Sequence, residues 1–207
     1  MPKVSDAYRQ SQRQRILDAA AACFATKGFQ RTSMADIVSG SGLSPGAIYG
    51  YFSGKAEIVA AIAQERHAHE DQLFTMAMAH DDLRVGLTEL FRAYVEWLKD
   101  PRERQRRLLA IQVWAEAPFD QELAATMSSG APQRAQLQQA FEEARHRGVI
   151  PDSFDPEALS RLILAVLQGF ILQQARDPDI DADAYAATAQ ALVESIFSGV
   201  DRPPPEE

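Results

Sequence analysis

The chain has 207 residues, a net charge of −8 and one cysteine, Cys23, which rules out an internal disulfide and a paired-thiol redox site. It is long enough to bury a core without covalent staples. The N-terminus, MPKVSDAYRQSQRQR, lacks an apolar signal core, and the longest apolar run, Leu162 to Leu172, is broken by Gln168 and Gly169, so a cytoplasmic protein with no membrane partner is expected. Charge is unevenly shared. Residues 1–55 hold seven basic against three acidic groups, a net +4, which leaves −12 for the remainder. A basic end on an acidic body presents only that end to phosphate.

Hydrophobic spacing is helical nearly everywhere, and no stretch alternates between hairpin turns, so the expected class is all-α with about nine helices. Ile16, Leu17, Ala20, Ala21 and Phe24 form the stripe of a first amphipathic helix, which Gly28 is placed to end. Ser33 followed by Asp36 predicts a capping box for a short helix that stops at Gly40-Ser41-Gly42. Ser44-Pro45 starts the next one, serine as the cap and proline at a position whose N–H has no partner to lose. After Phe52, Ser53-Gly54-Lys55 opens a long connector toward His80. Further helices are predicted over 82–99, 102–116, 120–147, 157–176 and 182–197, punctuated by Pro101, Pro118, Gly148 and the joint from Pro151 to Pro156. The tail over 201–207, DRPPPEE, is expected to be disordered.

From Gly28 to Val59 the sequence reads GFQRTSMADIVSGSGLSPGAIYGYFSGKAEIV. Gly28-Phe29, Thr32-Ser33, Asp36-Ile37, Gly42-Leu43-Ser44, Gly46, Tyr49, Tyr51-Phe52 and Lys55 fall at the spacing of the tetracycline-repressor family, and this segment closely resembles its DNA-binding region. The resemblance implies a three-helix, helix-turn-helix DNA-binding domain over 1–55 and a helical regulatory domain over 56–200. It also implies a homodimer on a double-stranded palindromic operator, most often a repressor, released by a small-molecule effector. In the family's arrangement Tyr49 and Tyr51 meet DNA, Thr32 and Ser33 clamp one phosphate strand, and Lys55 meets a phosphate. The residue types fit. Ser44, Pro45, Gly46 and Ala47 are small enough to let a helix end approach a groove closely. A lysine at a helix N-terminus opposes the dipole and needs a nearby anion. Ser33 and Ser44 also read simply as caps, Tyr49 and Tyr51 as packing residues and Lys55 as a solvated charge. Ser41, Gly50 and Gly54 depart from the family's usual residues, and Gly50 removes one side chain from the reading helix.

In the last two helices apolar residues cover more than one face of Leu159 to Gln173, so a second buried face needs a second partner. The resemblance assigns these helices to dimerisation, with Leu162, Val166, Gly169, Phe170, Gln173, Ala189, Leu192 and Val193 as the interface and Gly169 at the crossing. Leu108 to Met127 and Leu162 to Ile180 loosely resemble the choline-sensing betaine-pathway repressors, without implying that ligand. Candidate cavity-lining residues are Phe91, Tyr94, Trp97, Gln112, Trp114, Phe141 and Gln168, each of which also reads as an ordinary core residue. No cofactor or metal is expected: GSGLSPG follows a helix rather than a strand, and of the possible ligands His67, His69, Glu70 and Asp71 the two histidines lie on different faces of a solvated connector helix with no third ligand indicated nearby. No nucleophile elbow, P-loop or paired carboxylate supports an enzyme. The competing readings are a DNA-binding dimer without an effector and a helical enzyme or adaptor.

Overall fold

The computed structural model describes residues 5–126 and 130–198. These form ten α-helices and one 3-10 turn, with no strand among the described residues. Two compact units are present, one drawn from Met1–His67 and Asp100–Ser128, the other from Ala68–Lys99 and Ser129–Glu207.

The first unit holds α1 (Asp6–Lys27), α2 (Met34–Ser41), α3 (Pro45–Tyr49), the start of α4 (Lys55–Met78), α6 (Pro101–Glu116), the 3-10 turn Ala117–Phe119 and α7 (Gln121–Thr126). Its core is the predicted α1 stripe, Ile16, Leu17, Ala20, Ala21 and Phe24, packed with Ile37, Ile48, Phe52, Ile58, Ile62, Leu109 and Val113. Helix α1 begins ten residues before that stripe, capped by Ser5, because its polar first turns lie on an exposed side where apolar periodicity is not required. Arg13, in that polar stretch, reaches Glu65 of α4 and sits over the Phe52 ring at 5.7 Å.

The second unit holds the rest of α4, α5 (Leu83–Leu98), α8 (Gly130–His146), α9 (Pro156–Arg176) and α10 (Ala182–Phe197). Helix α5 packs on α10, and α8 packs on α9. Asp82, Asp155 and Asp181 each cap the helix that follows by accepting a backbone N–H. Gly148, at φ 68°, ends α8 in the left-handed conformation glycine tolerates best, and Val149 N–H closes back on the Ala144 carbonyl at 2.8 Å. The helix expected over 120–147 is represented by α7 and α8, with 127–129 between them outside the described residues. The expectation for the tail over 201–207 also lies outside them.

By length and composition α9 is apolar enough to cross a membrane, yet only 33% of that stretch is buried inside the fold. Of its large apolar residues, Leu162 and Leu172 are exposed.

Candidate nucleic-acid interface

The turn from α1 into α2 is built locally. Gly28 takes φ 84° and its N–H closes on the Phe24 carbonyl at 2.9 Å. Thr32 is 1% exposed, and its hydroxyl donates to the carbonyls of Gly28 and Cys23 at 2.8 and 3.3 Å. Its side chain is therefore turned inward to hold the turn, whereas the phosphate-clamp reading needs an outward hydroxyl. Ser33 is exposed and forms the predicted capping box: its Oγ accepts from Asp36 N–H at 3.2 Å and the Asp36 carboxylate accepts from Ser33 N–H at 2.8 Å.

Lys27 bonds the same Asp36 carboxylate, and with Ser33 it holds the Asp36 carboxyl well below the usual carboxylate range. A depressed folded-state pKa adds stability that is complete above the unfolded value, 3.8, and is lost as pH falls from there through the folded one. Asp36→Asn should therefore unfold at lower urea than the parent at neutral pH. The gap should narrow steadily in denaturation curves recorded below pH 3.8. A gap that stays constant with pH would show that the charge contributes nothing.

Helix α2 ends at Gly42, φ 66°, and the buried Ser41 hydroxyl donates to the Val38 carbonyl at 3.1 Å while accepting from Leu43 N–H at 3.2 Å. That bridge ties the end of α2 to the corner that follows it. Ser44 then caps α3 by accepting from Ala47 N–H at 3.2 Å, with Pro45 in the first turn. Ser44, Pro45, Gly46, Ala47, Tyr49 and Gly50 are exposed, while Ile48 alone of α3 is buried and pins the helix to the core. Tyr49 is 55% exposed; Tyr51 is half-buried and packs against the core beside Phe52.

At the start of α4, Ile58 N–H bonds the Gly54 carbonyl at 3.3 Å and the Glu57 carboxylate accepts from Ser53 N–H at 2.6 Å, which lowers the Glu57 pKa. Lys55 does not stand alone at this terminus. Its ammonium donates to the carbonyls of Phe29 and Gln30 at 3.0 and 3.4 Å and lies 4.8 Å from the Phe29 ring centroid. The awkwardness of a cation at a helix start is thus relieved by two carbonyl dipoles and an aromatic face, without a phosphate.

Helix α6 supports this head. Gln112, expected in a ligand cavity, instead accepts from Phe29 N–H at 2.7 Å and donates to the Phe24 carbonyl at 3.2 Å, so both ends of its amide hold the α1–α2 turn. Deeper in, the buried Arg66 donates to Glu103 at 3.3 Å, and Arg106 reaches Glu103, Glu65 and Asp18 at 3.3–3.5 Å. Desolvation raises the Glu103 pKa against the pull of Arg66 and Arg106.

The family model described as bacterial regulatory proteins, tetR family, matches residues 16–62. A second, described as tetracyclin repressor-like, C-terminal domain, matches residues 77–195. The chain belongs to the TetR family. Among curated relatives, the probable HTH-type transcriptional regulator ArpR of Pseudomonas putida is 34% identical over 46% of this chain and 47% of its own length. The chain therefore spans about half the length of the first curated relatives it matches, TtgR of the same species included. The HTH-type transcriptional repressor AcnR of Corynebacterium diphtheriae is 26% identical over 87% of this chain and 90% of that protein. Among solved structures, Salmonella enterica GusR superimposes with a TM-score of 0.73 at 26% identity, covering 95% of this chain and 99% of that one. A SmeT–triclosan complex gives 0.77 at 23% identity, covering 96% and 99%, a likeness of fold.

As a TetR-family chain, the protein carries its regulatory candidates mainly in the second unit. Tyr94 and Trp97 meet edge to face at 5.5 Å, and His69 lies 4.6 Å from Trp97 on its own side. Phe91 and Phe141 are buried in the core of that unit, Gln168 is exposed on α9, and Trp114 is half-buried in α6 of the first unit. Of the dimer candidates, Leu162 and Leu192 are 61% and 58% exposed, Gln173 is exposed, and Val166 and Gly169 are half-exposed. Phe170, Ala189 and Val193 need correction: they are buried within the protomer, Phe170 against the Tyr185 ring at 4.4 Å. Periodicity marks a residue as apolar without saying which partner buries it.

Proposed function

We propose that this protein is a transcriptional regulator, not an enzyme, that binds a palindromic operator as a dimer in the cytoplasm and is released by a small-molecule effector. Residues 1–55 form its DNA-binding domain and 56–200 its regulatory domain. The observation that carries the reading is α3, a capped helix after a glycine corner whose residues are exposed save Ile48. An exposed row of small residues ending in an exposed tyrosine lets a backbone approach a groove while one aromatic side chain reaches sugar, phosphate or a base edge. Ser33, Ser44, Pro45, Gly46, Ala47 and Tyr49 form that surface; Lys55 and Tyr51 flank it, and Thr32 serves it from within. Names of similar proteins, HTH-type regulators and repressors, support the same reading.

Two substitutions separate contact from folding. A Cβ added at Gly46 meets nothing within 4 Å, so Gly46→Ala should leave the melting temperature unchanged or slightly raised. The same methyl group would stand between α3 and DNA, lowering operator affinity roughly tenfold. Tyr49→Ala should weaken binding by about tenfold or more with helix content intact. Fluorescence anisotropy with DNA from the protein's own upstream region, alongside circular dichroism, reads both. Undiminished binding by both variants would remove α3 as the reading helix.

A further inference from the structure

We infer that the regulatory unit recognises a protonated primary amine or amidine, through a polar layer formed by Asp71 of α4 and Gln133 of α8. The inference rests on the effector reading above and names the effector's chemistry.

The layer lies where the core of the second unit changes character. On α4, Glu70 and Asp71 stand one turn before Phe74; on α5, Tyr94 stands one turn after Leu90 and Phe91; on α8, Gln133 stands one turn before Leu137. Phe74, Leu90, Phe91 and Leu137 are all buried. The Tyr94 hydroxyl donates to Glu70 at 3.3 Å, and Gln133 Nε2 donates to Asp71 Oδ1 at 2.6 Å. Asp71 is half-buried, and among the described residues no lysine or arginine pairs with it.

Gln133 is the decisive group. It is 3% exposed, and its Oε1 is buried without a hydrogen-bond partner. Its orientation is fixed, because an ionised carboxylate only accepts, so the amide nitrogen must face Asp71 and the oxygen must point elsewhere. Gln136, one turn along α8, also buries an unpartnered Oε1. A half-buried negative charge beside an unpartnered acceptor calls for a cation carrying at least two N–H donors. An ammonium or amidinium group satisfies both at once, whereas a quaternary ammonium supplies charge without donors. The field agrees: this unit's sequence contains nine basic and nineteen acidic residues.

The test uses the full-length protein with three matched probes, 2-phenylethylamine, its N,N,N-trimethyl derivative and 2-phenylethanol, followed by calorimetry and tryptophan fluorescence. The primary amine should bind tightest and the alcohol weakest. Asp71→Asn, nearly isosteric, should cost the amine at least about tenfold and leave the alcohol unchanged, and Gln133→Leu should close the gap between the primary and trimethylated amines. Circular dichroism checks both variants, and Asp71→Asn alone decides the matter if Gln133→Leu fails to fold. An amine that binds no tighter than the alcohol, or that ignores Asp71→Asn, overturns the assignment and leaves an ordered water on the Gln133 oxygen. A neutral compound that releases operator from parent and Asp71→Asn alike would sink the cation assignment while sparing the effector reading. An amine that binds as predicted without changing operator affinity would do the reverse.

Discussion

Gly169→Arg should yield monomers in sedimentation and lower affinity for a two-half-site operator by about a hundredfold or more. The change is harmless to a single protomer. A Cβ at Gly169 meets only Gln173 Nε2 of its own helix, at 3.9 Å, and arginine is a better helix former than glycine by up to about 1 kcal/mol. The cost arises only if another surface lies against α9. Leu162, Val166, Gly169 and Gln173 recur at three- and four-residue intervals along one side of α9, with Leu172 exposed beside them. Helix α10, joined to α9 by the Tyr185 hydroxyl donating to the Val166 carbonyl at 3.0 Å, adds the exposed Leu192. Three exposed leucines on adjoining helices offer apolar surface, and a second copy meeting it across a twofold axis would place residue 169 where backbones approach closely. Arginine there must bury its charge or push the helices apart. Because two reading heads joined in one particle gain from effective concentration, a monomer loses that gain even with α3 untouched. A dimer of unchanged mass and affinity would place the interface elsewhere.

The parts of the fold legible in the sequence are those settled within about four residues. Ser33 with Asp36, Ser44 with Ala47, and the positive-φ glycines 28, 42 and 148 each close a bond to a near neighbour, so composition and spacing suffice to place them. The illegible parts depend on partners far along the chain. Lys55 bonds carbonyls 25 and 26 residues back, and Gln112 bonds backbone 83 and 88 residues away, so a cation assigned to phosphate and an amide assigned to a ligand both serve the α1–α2 turn. Arg66 and Glu103 look like surface charges in sequence and are buried together because α4 and α6 bring them face to face. Phe170, Ala189 and Val193 belong to the same apolar run as Leu162 and Leu192, and only the packing of α9 and α10 separates inner from outer. Asp71 reads in sequence only as part of a solvated connector face, and Gln133 carries no signal at all. Nothing in a solitary glutamine announces that an aspartate 62 residues earlier will fix which way its amide points.

Gly86 is another position the sequence leaves unmarked, and Gly86→Ala should destabilise the protein by about 2–4 kcal/mol, a fall of roughly 5–15 °C in melting temperature. Glycine inside a helix ordinarily weakens it by up to about 1 kcal/mol relative to alanine, so propensity alone predicts the opposite sign. Geometry overrides propensity here. Gly86 is buried in the first turn of α5, where the chain has just turned back from α4, and a Cβ would stand 2.2 Å from the Ala77 carbonyl oxygen and 3.2 Å from its carbon. Both neighbours are backbone, so no side-chain rotation relieves the overlap. Helix α5 would have to withdraw from the end of α4 by about an ångström, in a close-packed interior that tolerates little movement. Phe74 and Ala77 on α4 and Leu87, Leu90 and Phe91 on α5 are buried in that region and would be disturbed with it. Thermal denaturation followed by circular dichroism gives the answer, with Gly46→Ala as the control in which the same methyl group meets open space. A Gly86→Ala protein that melts at or above the parent temperature would show that α4 and α5 do not approach this closely.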